Sequence, residues 1–274
     1  MSKNNVSKDD FFNSINLSIR DVLILNGCFI IFIIIYAAIY LLVHKIFGSR
    51  VIIKYWGDLL YLFDGAIIFT IYKYKLKNFK FFGLNQPNLK RNIKFAFALI
   101  FFIYFTKFSF QLLSGKYLLV NVEQVRFFTS GSLWFFSLHS IIAIAIVPII
   151  EETLFRGFFY PPLRRKFGVF GAIMISSLIF TLWHFGLNIK GLVGIFLSGV
   201  LLAYIYEKTA SLIPSILVHS VTNLNLIIVT SYKFLEAKKK ILFSPFQFLL
   251  LLAVIYLALS LLFYFSYKRD KFVA

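Results

Sequence analysis

The chain has little charge and almost no cysteine. Of its 274 residues only 15% are Asp, Glu, Lys or Arg, and Cys28 is the single cysteine. A water-soluble globule of this size needs far more charge on its surface, so a soluble enzyme is excluded. One cysteine excludes an internal disulfide and any multi-cysteine metal site. The polar opening MSKNNVSKDD lacks a basic start, a short apolar core and a small-residue cleavage site, so the first apolar segment is expected to stay on the chain. Internal repeats, low-complexity tracts and linkers long enough to hold a soluble domain are not visible.

What is present is hydrocarbon-like. Hydrophobic residues make up 60% of the chain and aromatic residues 20%, with a mean hydropathy of +0.84. A membrane-crossing helix needs roughly 20 mostly apolar residues. Eight such stretches fit between the charged clusters, at 22–43, 53–73, 93–113, 133–155, 168–186, 191–207, 211–231 and 244–266. The expected fold class is therefore all-α, a polytopic membrane protein of about eight transmembrane helices.

The net charge of +18 does not indicate nucleic acid. Its Lys and Arg residues lie in short loops between apolar spans, where topology and lipid headgroups use them. They are denser in the loops on the side of both termini, so both termini are expected in the cytoplasm, and the expected setting is the cell membrane.

Ionisable residues inside apolar spans are costly, about 2.5–3.5 kcal/mol each on insertion scales, and often mark function. Lys107 lies near a helix end and is expected to snorkel to the headgroups. Asp58 and Asp64 suit packing or a cavity as well as catalysis, and His44 and His139 read as structural.

Three segments stand apart. In Glu151-Glu152-Thr153-Leu154-Phe155-Arg156, Glu152 and Arg156 are i, i+4 neighbours in the favourable order, and Glu151 points about 100° away. In Phe180-Thr181-Leu182-Trp183-His184, a histidine closes an apolar helix with Phe180 on its face. In His219-Ser220-Val221-Thr222-Asn223, His219 and Asn223 share a face one turn apart.

A carboxylate, two imidazoles and a carboxamide meet the needs of amide hydrolysis. Glu151 can take a proton from water, His184 can orient that water, and His219 with Asn223 can stabilise the oxyanion. The same residues offer another chemistry, with Glu151, His184 and His219 binding zinc and leaving a position open for water. Residue types alone leave both open. Other membrane-protease motifs are missing: there is no His-Glu-x-x-His, Phe196 stands where a Gly-x-Ser-Gly motif at Ser198 needs glycine, and Asp64 has no Gly-x-Gly-Asp partner.

Taken in order, Glu151-Glu152-x-x-x-Arg156, Phe180-x-x-x-His184 and His219-x-x-x-Asn223 resemble the motifs of the CPBP family of intramembrane proteases, which includes type 2 CAAX prenyl proteases and bacterial Abi proteins. Gly199 and the approach Thr209–Ile216 are also similar. The resemblance covers 133–230, which it implies is the catalytic core. On that division, 1–132 holds an N-terminal cytoplasmic segment and three accessory helices, and 231–274 holds a loop, the last helix and a basic tail. The resemblance implies Glu151 as general base, His184 as its partner on the water, and His219 with Asn223 at the oxyanion. Glu152, Arg156 and Phe180 are then supporting residues. It implies either no cofactor or one divalent metal, with zinc as the alternative. The implied partners are the bilayer and a membrane-associated peptide or protein substrate. The competing expectation is a non-catalytic protein that uses the same cluster to bind a membrane sensor or to give bacteriocin immunity. A transporter would show inverted repeats and broken helices, and neither is visible in the sequence.

Overall fold

In a computed structural model of the chain, residues 7–47, 88–115, 133–184, 187–237 and 243–273 are described, together with positions 65, 66, 68, 70, 73 and 83. The described residues form helices and no strand. The order is α1 (Lys8–Asn13), α2 (Ile19–Phe47), α3 (Leu89–Ser114), α4 (Leu133–Ile141), a π-helical stretch Ile142–Ile146, α5 (Val147–Glu152), a second π-helical stretch Thr153–Phe159, α6 (Tyr160–Leu182), α7 (Ile189–Thr209), α8 (Leu212–Ala237) and α9 (Pro245–Val273).

Among the described residues, six helical runs are long and apolar enough to cross a membrane, and the fold is that of a polytopic membrane protein. One of the six, Ser137–Leu182, has 46 residues, or about 69 Å at the helical rise, more than twice the hydrocarbon thickness. It contains two of the eight expected spans, so the six runs account for seven. The remaining one, 53–73, lies outside the described residues except at a few positions, and Asp58 and Asp64 lie outside them too.

The run does not end at 155 as expected but continues to Gly168, where φ is 70° and ψ is −179°. Only glycine adopts that geometry readily, so the helix breaks there. Pro161 and Pro162 read as loop in the sequence, yet they sit in the first turn of α6, where proline fits the helix. Elsewhere the ends are locally coded. Asn188 caps α7 by accepting from the Gly191 amide at 2.9 Å, and Ser7 does the same for α1 through Asp10 at 3.1 Å.

The chain divides into two compact units. The first comprises 1–84 and 149–212. Its centre is the pairing of α6 with α7, which approach closely because Gly199 has no side chain: an added Cβ would lie 3.1 Å from Ser177 Cβ and 3.3 Å from Phe180 Cδ1. Small residues at such crossings are how helices associate in lipid, where hydrophobicity supplies no drive between them.

The polar N-terminal segment is also part of this unit. Phe11, Phe12, Ile15 and Leu17 are buried. Phe12 packs against the rings of Tyr160 and Tyr206, at 5.7 and 5.3 Å. Arg164 ties Glu207 to Asp9, and Arg165 donates to the carbonyls of Phe12, Ile15 and Leu17. The run Arg164-Arg165-Lys166, which reads as a charged loop, thus spends two of its cations holding α1.

The second unit comprises 85–148 and 213–274. Here α3 lies along α9. Tyr104, Phe108 and Tyr256 form a ring cluster, and Ser260 donates to the Ala98 carbonyl at 3.0 Å. Lys94 and Asp270 close the pair at 2.6 Å. Lys107 sits over the Tyr104 ring at 5.5 Å.

Candidate active site

In the first unit, Glu151, Glu152 and Arg156 are all buried, the last two completely. Arg156 Nη1 donates to Glu152 Oε1 at 3.0 Å, the i, i+4 pair read from the spacing. Arg156 Nη2 donates to the main-chain carbonyl of Gly199 at 3.0 Å. Its guanidinium lies 4.7 Å from the Phe180 ring centre, within cation–π range. It interacts electrostatically with both glutamates, more strongly with Glu152. Two carboxylates and one guanidinium leave the cluster one negative charge in excess when all three are ionised. An unpaired buried charge is costly, whereas a paired and hydrogen-bonded one is tolerable.

The backbone here is unusual. Thr153–Phe159 is π-helical, and all seven residues are buried. π-Helical turns are rare and occur often at functional sites. The wider turn accompanies three bulky rings, Phe155, Phe158 and Phe159, each at most 1% exposed.

His184 lies in the turn that follows α6. Its Nδ1 is 2.7 Å from the Phe180 carbonyl oxygen. A carbonyl only accepts, so Nδ1 carries the proton and donates. Phe180 therefore serves His184 twice, through its carbonyl and through its ring, whose centre is 4.6 Å from the imidazole. His184 Nε2 faces Glu151 Oε2 at 4.0 Å. That separation is too long for a direct hydrogen bond and matches two atoms sharing one water.

In the second unit, His219 is buried and Asn223 lies one turn beyond it on α8. Asn223 Nδ2 donates to the carbonyl of Ala143, inside the first π-helical stretch, at 2.8 Å. One of its two N–H groups is thereby used on the backbone.

The first unit thus brings together Glu151, Glu152, Arg156, Phe180 and His184, and the second carries His219 and Asn223. The spacing did not reveal Arg156's bond to Gly199, Asn223's bond to Ala143 or the π-helical backbone. Among the described residues, no group of three or more His, Cys, Asp or Glu is placed to hold a metal ion. Glu151 and His184 are two donors, and a catalytic zinc takes three protein ligands plus water. His219, the third ligand expected for a zinc ion, lies in the second unit.

These features define a class: a polytopic helical membrane protein with carboxylates, a guanidinium and an imidazole buried within its spans. The sequence comparison is more specific. Residues 130–225 match the family described as type II CAAX prenyl endopeptidase Rce1-like, a match consistent with the CPBP/CAAX protease resemblance carried by the three motifs. No curated protein and no solved structure matches the chain.

Proposed function

We propose that the protein is an intramembrane endopeptidase that hydrolyses a peptide bond with a water held between Glu151 and His184. The observation that carries this reading is the 4.0 Å separation of Glu151 Oε2 and His184 Nε2, with the imidazole oriented by its Nδ1 bond to Phe180. The match of 130–225 to a family of endopeptidases supports it.

In the first step the water oxygen attacks the scissile carbonyl carbon and its proton passes to Glu151. The carbonyl oxygen becomes an oxyanion, for which His219 and Asn223 are the proposed donors. In the second step Glu151 returns the proton to the amide nitrogen, the C–N bond breaks, and the products are a carboxylic acid and an amine. Proton transfer by a positioned carboxylate contributes about 10²–10⁴-fold to such reactions. His184 orients the water through Nε2, while Glu152 and Arg156 hold the segment that carries Glu151.

The proposed substrate is a membrane-associated peptide or protein segment. The proposed setting is the cell membrane, with both termini cytoplasmic, where the basic loops face anionic headgroups. No cofactor is required on this reading.

The test is cleavage of a peptide library by the protein in proteoliposomes, with Glu151→Ala, His184→Ala and His219→Ala variants of confirmed fold. Loss of cleavage in all three supports the reading. Full activity in all three refutes the assignment of these residues, and no cleavage by the wild type leaves the partner-binding alternative, in which a sensor protein or bacteriocin receptor is bound without hydrolysis.

A further inference from the structure

Trp183 immediately precedes His184 and has no part in the proposed chemistry, yet its side chain meets three aromatic rings and an amide of the first unit. Its indole stacks on Phe29 of α2, with ring centres 3.4 Å apart and planes 4° apart. Its edges meet Phe155 at 5.0 Å and Phe159 at 6.0 Å. Its one polar atom, Nε1, donates to Asn26 Oδ1 at 3.2 Å. Asn26 is itself fixed, because its Nδ2 donates to the Val22 carbonyl one turn earlier at 2.8 Å. That bond settles the amide's orientation and turns Oδ1 toward the indole.

Trp183 and His184 form the turn in which α6 ends. Their amides bond to Ile179 and Thr181 at 3.1 and 3.0 Å. Beyond the last turn of a helix the intrahelical bonds run out, and side chains there need outside support to stay in one conformation. Here that support comes from α2, which lies outside the family-matched segment 130–225.

We infer that Trp183, gripped by Phe29 and Asn26 of α2, is a positioning residue for His184. The stacked indole fixes the end of α6 so that the imidazole keeps Nδ1 on the Phe180 carbonyl and Nε2 toward Glu151. α2 is then a working part of the site and not only a membrane anchor. This inference deepens the protease reading and rests on it for its functional meaning. Held rotamers supported from a neighbouring element are what a catalytic group needs to stay within reach of its target.

The experiment reads the ring directly. The chain has four histidines, so protein labelled with ring-15N histidine in detergent micelles gives few signals, and His184→Gln identifies the one that matters. In wild type the His184 pair is expected as a single tautomer, with Nδ1 protonated and Nε2 not. In Asn26→Leu and in Phe29→Leu the two nitrogen signals are expected to draw together as tautomers mix, while the other histidines keep theirs. Trp183→Phe keeps a stacking ring and loses the N–H, and should match Asn26→Leu. Asn26→Leu is a near-isosteric change at a partly buried position, so it answers the question even where Phe29→Leu fails to fold. A mixed tautomer already present in wild type overturns the inference, as does a His184 signal unchanged in Asn26→Leu and Trp183→Phe. The readout needs no substrate. A wild-type-like His184 signal in these variants of an active protease sinks this inference alone, and the tautomer shift in a protein without peptidase activity sinks only the protease reading.

Discussion

Arg156 and Gly199, 43 positions apart, are joined by a 3.0 Å hydrogen bond from guanidinium Nη2 to the main-chain oxygen. The bond exists because Gly199 lets α7 lie against α6, and it gives Arg156 a second anchor besides Glu152. One arginine thus links Glu152 to α7, the helix that packs on α6.

Replacing Arg156 with Met should lower stability strongly. It leaves Glu152 buried without its cation, a change that typically costs about 3–5 kcal/mol. The double variant Glu152→Gln/Arg156→Met should recover part of the loss, because the fully buried carboxylate of Glu152 is then removed together with its cation. Thermal unfolding of the single and double variants in detergent checks this, and equal midpoints for the two would refute it.

Gly199→Ala should damage both stability and turnover. The new methyl group meets Ser177 Cα at 3.2 Å and Ser177 Cβ at 3.1 Å, so the two helices must part by a few tenths of an ångström. Overpacking of this kind costs about 1–3 kcal/mol. Ser177→Gly added to Gly199→Ala should restore part of the unfolding midpoint; no recovery would mean that the contact is not the cause.

Glu207 accepts from Arg164 Nε at 2.7 Å and from the Tyr160 hydroxyl at 3.0 Å, and Arg164 also reaches Asp9 at 2.8 Å. Glu207→Leu removes the acceptor of charge-assisted bonds worth about 1.5–3 kcal/mol each. It should loosen the N-terminal segment before it unfolds the core. Hydrogen exchange over residues 8–17 should therefore rise in Glu207→Leu and in Arg165→Ala, with exchange in α9 unchanged.

Metal removal should have little effect. Treatment with a strong zinc chelator is expected to leave cleavage within about twofold of the untreated protein, since general-base activation of water by a carboxylate needs no ion. Elemental analysis of the purified protein should find less than one zinc per chain. Loss of cleavage on chelation and its return on adding zinc would reverse this.

Much of the site was legible in the sequence because charge inside an apolar run is conspicuous. Glu152 and Arg156 declared themselves by spacing, since four positions bring side chains together in either helical geometry. One expected span begins at 168, and the structure puts a helix break at Gly168. The segment 160–167 was missed because two prolines and three cations resemble a loop. Those prolines occupy a first helical turn, and Arg164 and Arg165 are consumed by partners about 40 to 155 positions away. The π-helical turns were not legible, because hydropathy records which side chains are present and not which carbonyl each amide chooses. Nor was the grip of α2 on Trp183, since nothing local to Asn26 points to an indole 157 positions on.

The most direct test of the central claim compares turnover of wild type, Glu151→Gln and Glu152→Gln in proteoliposomes on one cleaved peptide, with unfolding midpoints measured alongside. The account predicts that Glu151→Gln keeps its fold and loses activity by about 10²–10⁴-fold, the range of a removed general base. It predicts that Glu152→Gln loses stability instead, because the carboxylate that pairs directly with buried Arg156 at 3.0 Å is gone. Glu151→Gln cleaving at the wild-type rate would contradict the account.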